Sequence, residues 1–272
     1  MAVFVDVGDP ADPRLDDYRD LKRADRRPDR PGGRGLVIAE GTNAVQRLLD
    51  SPYPVRSVLG IRPRVDDLAA RLAALDVPVY VTSAEVMDAV IGFHLNRGVL
   101  AVADRAAPVS WERLLSGRVL LGLEGVNDHE NIGSLFRNAA AFGVDGVLVG
   151  PGCPDPLYRR SVRVSMGHVL HVPFARVDDI GAAASKLRAV GFTIAALTPR
   201  PGAVPVRDFA RSVERAILFL GSEGHGLSED VLSVADVAVR IPIAEHVDSL
   251  NVAVAGAIAC YEMAERARLG QR

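Results

Sequence analysis

The chain has 272 residues, 49% hydrophobic and 24% charged, and 32 basic residues against 34 acidic ones give a formal net charge of −2. This length suggests one or two domains, and the apolar share excludes a disordered chain. Apolar stretches end at Gly, Pro or a charge well before the ~18–20 residues that span a bilayer, and the two distant cysteines, Cys153 and Cys260, exclude a disulfide framework or a cysteine-based zinc site.

Asp6, Asp9 and Asp12 stand where a secretory signal would carry its apolar core, so a cytoplasmic location is expected. Every basic residue except Lys22 and Lys186 is an arginine. A GC-rich genome would produce that bias, and the planar donor fork of arginine also suits phosphate and base recognition. With a near-neutral total, any nucleic-acid contact needs a local basic face.

Residues 1–35 are expected to form a charged arm, because the run Arg26–Gly33 and its surroundings sustain no apolar period. Such an arm is either a solvated tail or a segment lying on RNA or a partner subunit. A small α/β domain is predicted over 36–104. Its helix over 42–50 has Thr42 or Asn43 as N-cap and Val45, Leu48 and Leu49 on one face. A strand over 55–61 and a helix over 66–75 with the stripe Leu68, Leu72 and Leu75 follow. A strand over 77–81, a helix over 83–90 capped by Ser83, and a strand over 98–103 complete it. Residues 105–110, with Pro108, read as a linker.

A second α/β domain is predicted over 111–272, with strands over 119–123, 146–149, 169–173, 193–197, 216–220 and 237–241. Its helices cover 131–142, 180–190 and 249–268. The last opens with small and apolar residues, Val252 to Ala255 and Ala257, which suit either a dimer interface or the chain's own core.

Three segments of this domain could carry chemistry. The first, Asn131-Ile132-Gly133-Ser134-Leu135-Phe136-Arg137-Asn138-Ala139, opens a helix. Asn131 reads as a cap or a functional amide, and Arg137 beside an apolar face calls for an anionic or carbonyl partner. The second, Leu220-Gly221-Ser222-Glu223-Gly224-His225-Gly226, leaves a buried strand, where open α/β sheets bind ligands. Its G-x-x-G-x-G spacing is neither the dinucleotide fingerprint nor a Walker loop. The third runs from Ile241-Pro242 to Ser249-Leu250-Asn251-Val252, with Ser249 placed to cap the final helix. His246 and Asp248 suggest a hydrolase triad with Ser222 or Ser249, but no G-x-S-x-G elbow supports one.

Together these segments resemble the SpoU/TrmH family of SPOUT RNA 2′-O-ribose methyltransferases. The family motifs are N-x-G-x-x-x-R-x-A, L-G-x-E-G-x-G and I-P-M-x-G-x-x-x-S-L-N-V-x-x-A. Asn131, Gly133, Arg137 and Ala139 match the first; Leu220, Gly221, Glu223, Gly224 and Gly226 match the second. Ile241, Pro242, Ser249, Leu250, Asn251, Val252 and Ala255 match the third, and the likeness spans 117–268. Ile243 replaces the usual Met and Glu245 the usual Gly, and neither change removes a polar catalytic group. Residues 39–45 and 97–101 weakly resemble the family's L30e-like substrate-binding domain.

The resemblance implies an α/β fold: a C-terminal SPOUT trefoil-knot domain and a smaller N-terminal L30e-like α/β domain. It also implies a homodimer, S-adenosylmethionine as methyl donor, no metal, and an RNA partner, with rRNA favoured over tRNA. Arg137 would be the activating residue. Because arginine stays protonated, its expected role is to grip a phosphate and stabilise charge on the 2′-oxygen. Asn131, Ser249 and Asn251 would position ribose, phosphate or the arginine, and Glu223 would orient polar neighbours. Gly221, Gly224, Ile241 and Leu250 would hold the donor, with Leu197 and Thr198 at its rim. A non-catalytic RNA-binding or ribosome-assembly protein, and a Rossmann-like nucleotide-dependent enzyme, are the alternatives.

Overall fold

The computed structural model describes residues 2–19, 21 and 35–269, and side-chain environments as far as residue 264. The run Arg26–Gly33 lies outside the described residues. The chain forms two compact units, residues 1–107 with 155–171, and residues 108–154 with 172–272.

In the first unit, β1 (Val3–Asp6) is followed by a 3-10 turn over Pro13–Tyr18, then β2 (Leu36–Glu40) and α1 (Thr42–Leu49). Next come β3 (Val55–Ile61), α2 (Arg62–Asp66), α3 (Ala69–Leu72), β4 (Pro78–Thr82), α4 (Ala84–Ile91) and β5 (Val99–Asp104). The sheet order is β1-β4-β3-β5-β2. β1, β4 and β3 run parallel, and β5 is antiparallel to both β3 and β2.

Residues 1–35 differ from the expected arm wherever they are described. β1 pairs with β4 at the sheet edge, and Leu15, Tyr18 and Leu21 are buried. Asp12 caps the 3-10 turn by accepting from the Arg14 N–H. The buried Tyr18 hydroxyl lies 2.7 Å from Ser57 Oγ. Few apolar residues suffice here because an edge strand needs backbone pairing more than side-chain volume. The N-cap of α1 is Gly41, at φ +88°, rather than Thr42 or Asn43. The helix expected over 66–75 is shortened to α3 over Ala69–Leu72, and a separate short helix, α2, ends at Asp66. Ser83 caps α4 as expected, accepting from the Val86 N–H.

Residues 155–171 complete this unit rather than the sheet that follows them in sequence. α6 (Arg159–Val164) is bound through Arg159, whose Nη1 donates to the buried Glu40 carboxylate at 2.8 Å. Arg105 donates to the buried Asp155 carboxylate. The strand expected over 169–173 is a 3-10 turn over His168–Leu170 with Val169 and Leu170 buried. A short apolar run cannot distinguish a strand from a buried turn.

The second unit is a seven-stranded parallel sheet in the order β10-β12-β9-β11-β6-β7-β8. Its strands are β6 (Val119–Leu123), β7 (Gly146–Val149), β8 (Phe174–Arg176), β9 (Thr193–Leu197), β10 (Val204–Pro205), β11 (Ala216–Leu220) and β12 (Val237–Arg240). The helices are α5 (His129–Phe142), α7 (Ile180–Ala189), α8 (Val206–Ser212), α9 (Glu229–Val234) and α10 (Val252–Leu269). Leu120, Leu148, Ile194, Ile217 and Phe219 from the strands pack with Ile180 and Leu187 of α7. α10 lies against α5, and a Cβ on Gly256 would collide with the Leu135 side chain. Ala253, Gly256, Ala259 and Cys260 are therefore buried within the chain, whereas Val254 and Tyr261 are exposed.

Cys153 and Cys260 are free and buried. Desolvation pushes their thiols up to about 11 and about 12, so both stay protonated and unreactive at neutral pH. No helix among the described residues is long and apolar enough to cross a membrane.

Candidate functional site

Parallel pairing places the carboxyl ends of β6, β9, β11 and β12 on one edge of the sheet. The loops that leave them carry most of the singled-out residues. Leu197 closes β9, and the Thr198 N–H donates to Val239 O of β12 at 2.8 Å. Gly221 follows β11 directly and Ile241 follows β12 directly. Such a crevice, outside the carboxyl ends of strands, is where open α/β sheets hold ligands.

Three side chains from three loops or helix starts converge there. Asn131 Nδ2 donates to Glu223 Oε1 at 3.1 Å, and Asn251 Nδ2 donates to the same oxygen at 2.8 Å. Asn251 Nδ2 also donates to Asn131 Oδ1 at 3.0 Å. The orientation of the triangle follows from helix capping. Asn251 Oδ1 accepts the Ala253 and Val254 N–H groups at 2.9 and 3.2 Å, so its nitrogen must face the carboxylate. Asn131 is then forced to present oxygen to Asn251 and nitrogen to Glu223. The cap expected at Ser249 therefore sits at Asn251, and α10 begins at Val252. Similarly, Asp128 rather than Asn131 caps α5, by accepting from the Glu130 and Asn131 N–H groups. That leaves the Asn131 side chain available to the triangle.

Ser249 is exposed and makes no side-chain hydrogen bond among the described residues. Arg137 is also exposed and has no hydrogen-bond or ion-pair partner among them, contrary to the partner expected from its apolar neighbours. An exposed guanidinium is hydrated and needs none. It sits one residue before Asn138, turned about 100° from the face that carries Asn131 and Asn138. Asn138, which sequence reasoning missed, donates to Ala253 O at 3.0 Å and ties α5 to the first turn of α10. Its seven-residue spacing from Asn131 was the available signal.

The glycine-rich loop closes on itself. The Ser222 N–H donates to Gly226 O at 3.1 Å, and the Gly226 N–H returns to Ser222 O at 3.0 Å. Gly224 and Gly226 adopt φ +91° and +72°, which side-chain-bearing residues rarely take. Glu124 and Ser228 were missed as partners: Ser228 N and Oγ both donate to the Glu124 carboxylate at 2.8 Å. No group of His, Cys, Asp or Glu among the described residues could hold a metal ion.

Asn251→Asp tests the triangle. The cap survives, because Asp accepts from helix amides as Asn does, but the donors facing Glu223 become acceptors. Activity is expected to drop at least about tenfold, because oxygens without a donor between them then face each other across the triangle. A rate measurement beside a melting curve checks this.

The profile of the SpoU rRNA Methylase family matches residues 118–261. Over 260 residues the chain is 52% identical to an uncharacterized tRNA/rRNA methyltransferase of Mycobacterium tuberculosis, covering 94% of this chain and 90% of that protein. It is 28% identical to the 23S rRNA (guanosine(2553)-2′-O)-methyltransferase RlmP of Bacillus subtilis, covering 83% of this chain and 87% of that one. The AdoMet-bound rRNA methyltransferase from Sinorhizobium meliloti, 26% identical, superposes with a TM-score of 0.78 over 97% of this chain and 98% of its own.

Proposed function

Because the chain belongs to the SpoU rRNA Methylase family of RNA methyltransferases, we propose that it moves a methyl group from S-adenosylmethionine to a ribose 2′-hydroxyl of structured RNA, ribosomal rather than transfer RNA. The observation that carries this reading is the Asn131–Glu223–Asn251 triangle at the carboxyl edge of the parallel sheet. Arg137 supports it, an exposed cation on the helix that supplies Asn131, with no partner among the described residues.

The chain's residues fit the methyl donor. Gly221 lies so close to the backbone of Gly226 and Leu227 that no Cβ has room, which leaves peptide groups rather than side chains at that strand end. Gly221, Gly224, Ile241 and Leu250 would hold adenine and ribose through such groups, with Leu197 and Thr198 at the rim. When bound, the donor supplies an electrophilic sulfonium methyl. A 2′-hydroxyl is a poor nucleophile until it is aligned and its developing charge is met. Arg137 cannot act as a base, since it stays protonated. It grips the RNA phosphate next to the target ribose and stabilises the negative charge left on the 2′-oxygen as the hydroxyl proton passes to solvent. Asn131 and Asn251 hold Glu223 in one orientation, and Ser249 contacts ribose or phosphate from the neighbouring loop.

Ribosomal RNA is favoured by the activity named for the B. subtilis relative and by the first unit, read as an L30e-like RNA-binding domain. The exposed Val254 and Tyr261 lie seven residues apart, on one face of α10, and are read as part of a homodimer contact. β11 enters the sheet between β6 and the earlier strand β9, a crossing order compatible with a knotted C-terminus. The cytoplasm is the expected compartment.

Mapping 2′-O-methyl sites in total RNA with and without the gene tests the reading. One ribosomal site is expected to disappear and to be restored by purified protein with S-adenosylmethionine. A lost transfer-RNA site would reassign the substrate, and an unchanged map would remove the proposal.

A further inference from the structure

We infer that Glu124, which lies outside the three motifs, is a positioning residue: it clamps both ends of the glycine hairpin and thereby sets the place of Glu223. The inference rests on the proposed donor site, whose methyl donor this hairpin would hold.

The entrance to the hairpin is held by backbone, since the Glu124 N–H donates to Leu220 O at 3.0 Å. The exit is held by side chain. Glu124 Oε2 accepts the Ser228 N–H and Oε1 accepts the Ser228 hydroxyl, each at 2.8 Å. The next residue, Gly125, packs against Ser222, and a Cβ there would lie 3.2 Å from Ser222 Cβ. Two consecutive residues after β6 therefore grip the start, the third residue and the end of the segment from Leu220 to Ser228.

The physical need is entropic. Gly221, Gly224 and Gly226 lose more freedom on ordering than other residues, and the two cross-hairpin backbone bonds close only its middle. Glu223 lies at the tip and must keep two hydrogen bonds to side chains on other elements. A clamp from outside the hairpin supplies the missing constraint. Capping of α9 alone does not explain Glu124. Ser228 Oγ already caps that helix by accepting the Val231 N–H at 3.2 Å, and an Oγ can do so without a carboxylate behind it.

The test uses the full chain, S-adenosylmethionine as probe, and three variants. Calorimetry is expected to show about tenfold weaker binding for Glu124→Ala, which loses both charge-assisted bonds. Glu124→Gln, which can accept from the Ser228 N–H and donate to its hydroxyl, is expected to bind within about twofold of wild type. Ser228→Ala keeps the amide bond and is expected to fall between them. Amide exchange at Gly226 and Ser228 is expected to quicken in Glu124→Ala while the β6–β11 ladder stays protected. Equal binding by wild type and Glu124→Ala, with unchanged exchange, overturns the inference. So does weaker binding accompanied by loss of protection throughout the ladder. If Glu124→Ala fails to fold, binding by Glu124→Gln as weak as that of a loop disordered by deletion of Gly224 also overturns it. Should wild type itself not bind S-adenosylmethionine, the donor site is refuted, and exchange confined to the hairpin still decides the clamp.

Discussion

Arg137→Ala is expected to fold and to bind S-adenosylmethionine as wild type does, while methyl transfer to RNA falls about 10²–10³-fold. The first half follows from exposure. The side chain lies on the solvent face of α5 without a partner among the described residues, and such substitutions change stability by less than about 0.5 kcal/mol. The second half follows from charge. In the proposed transfer to a ribose hydroxyl, the oxygen carries negative charge to the extent that its proton has passed to solvent before the methyl bond is complete. A cation that meets this charge lowers the barrier without contributing to donor binding. Arg137→Lys separates charge from geometry: a point charge retains part of the rate but cannot present two parallel donors to a phosphate. Tritiated methyl incorporated into RNA measures the rate, and calorimetry measures donor binding. Full turnover by Arg137→Ala would remove the arginine from the mechanism and leave the amide–carboxylate triangle as the centre of the site.

Gly221→Ala is the substitution with the largest expected structural effect. The new Cβ would lie closer than 3.0 Å to backbone atoms of Gly226 and Leu227, and 2.5 Å from Gly226 O. Backbone cannot rotate away as a flexible side-chain end can, so the hairpin must open. A cost of about 3 kcal/mol is expected, as for a severe overpacking change. The melting temperature should drop by about 6–10 °C. Donor binding should weaken at least about a hundredfold, because the opened hairpin no longer presents the peptide groups proposed to hold the donor. Gly224→Ala is the control. Nothing lies within 4 Å of its Cβ, and only the φ of +91° resists the change. It should cost about 1–2 kcal/mol and leave the hairpin closed. Equal melting temperatures for the two variants would show that crowding at Gly221 does not constrain the loop.

Much of the second unit was legible in the sequence. The strands over 119–123, 146–149, 193–197 and 216–220 occur where the apolar runs predict them. Continuous burial on both faces leaves such runs little alternative. Ser83 caps its helix as expected, because capping is a local contest over a few amides. The first unit was less legible. β1 and the 3-10 turn over Pro13–Tyr18 lie in a stretch rich in charge, and their reason for ordering is a sheet edge formed by β4, some 70 residues onward.

Taken alone, the sequence determined the parallel α/β character of the second unit, the family, and the residue types at the site, because these depend on local apolar runs and on motif spacing. Only the tertiary structure decided that residues 155–171 complete the first unit, that Asn251 rather than Ser249 caps the final helix, and that Asn131, Glu223 and Asn251 share their hydrogen bonds. The first and the last of those outcomes are choices between partners far apart in the chain. Several side chains could satisfy the same donor or fill the same space, and only the assembled sheet brings one of them within reach.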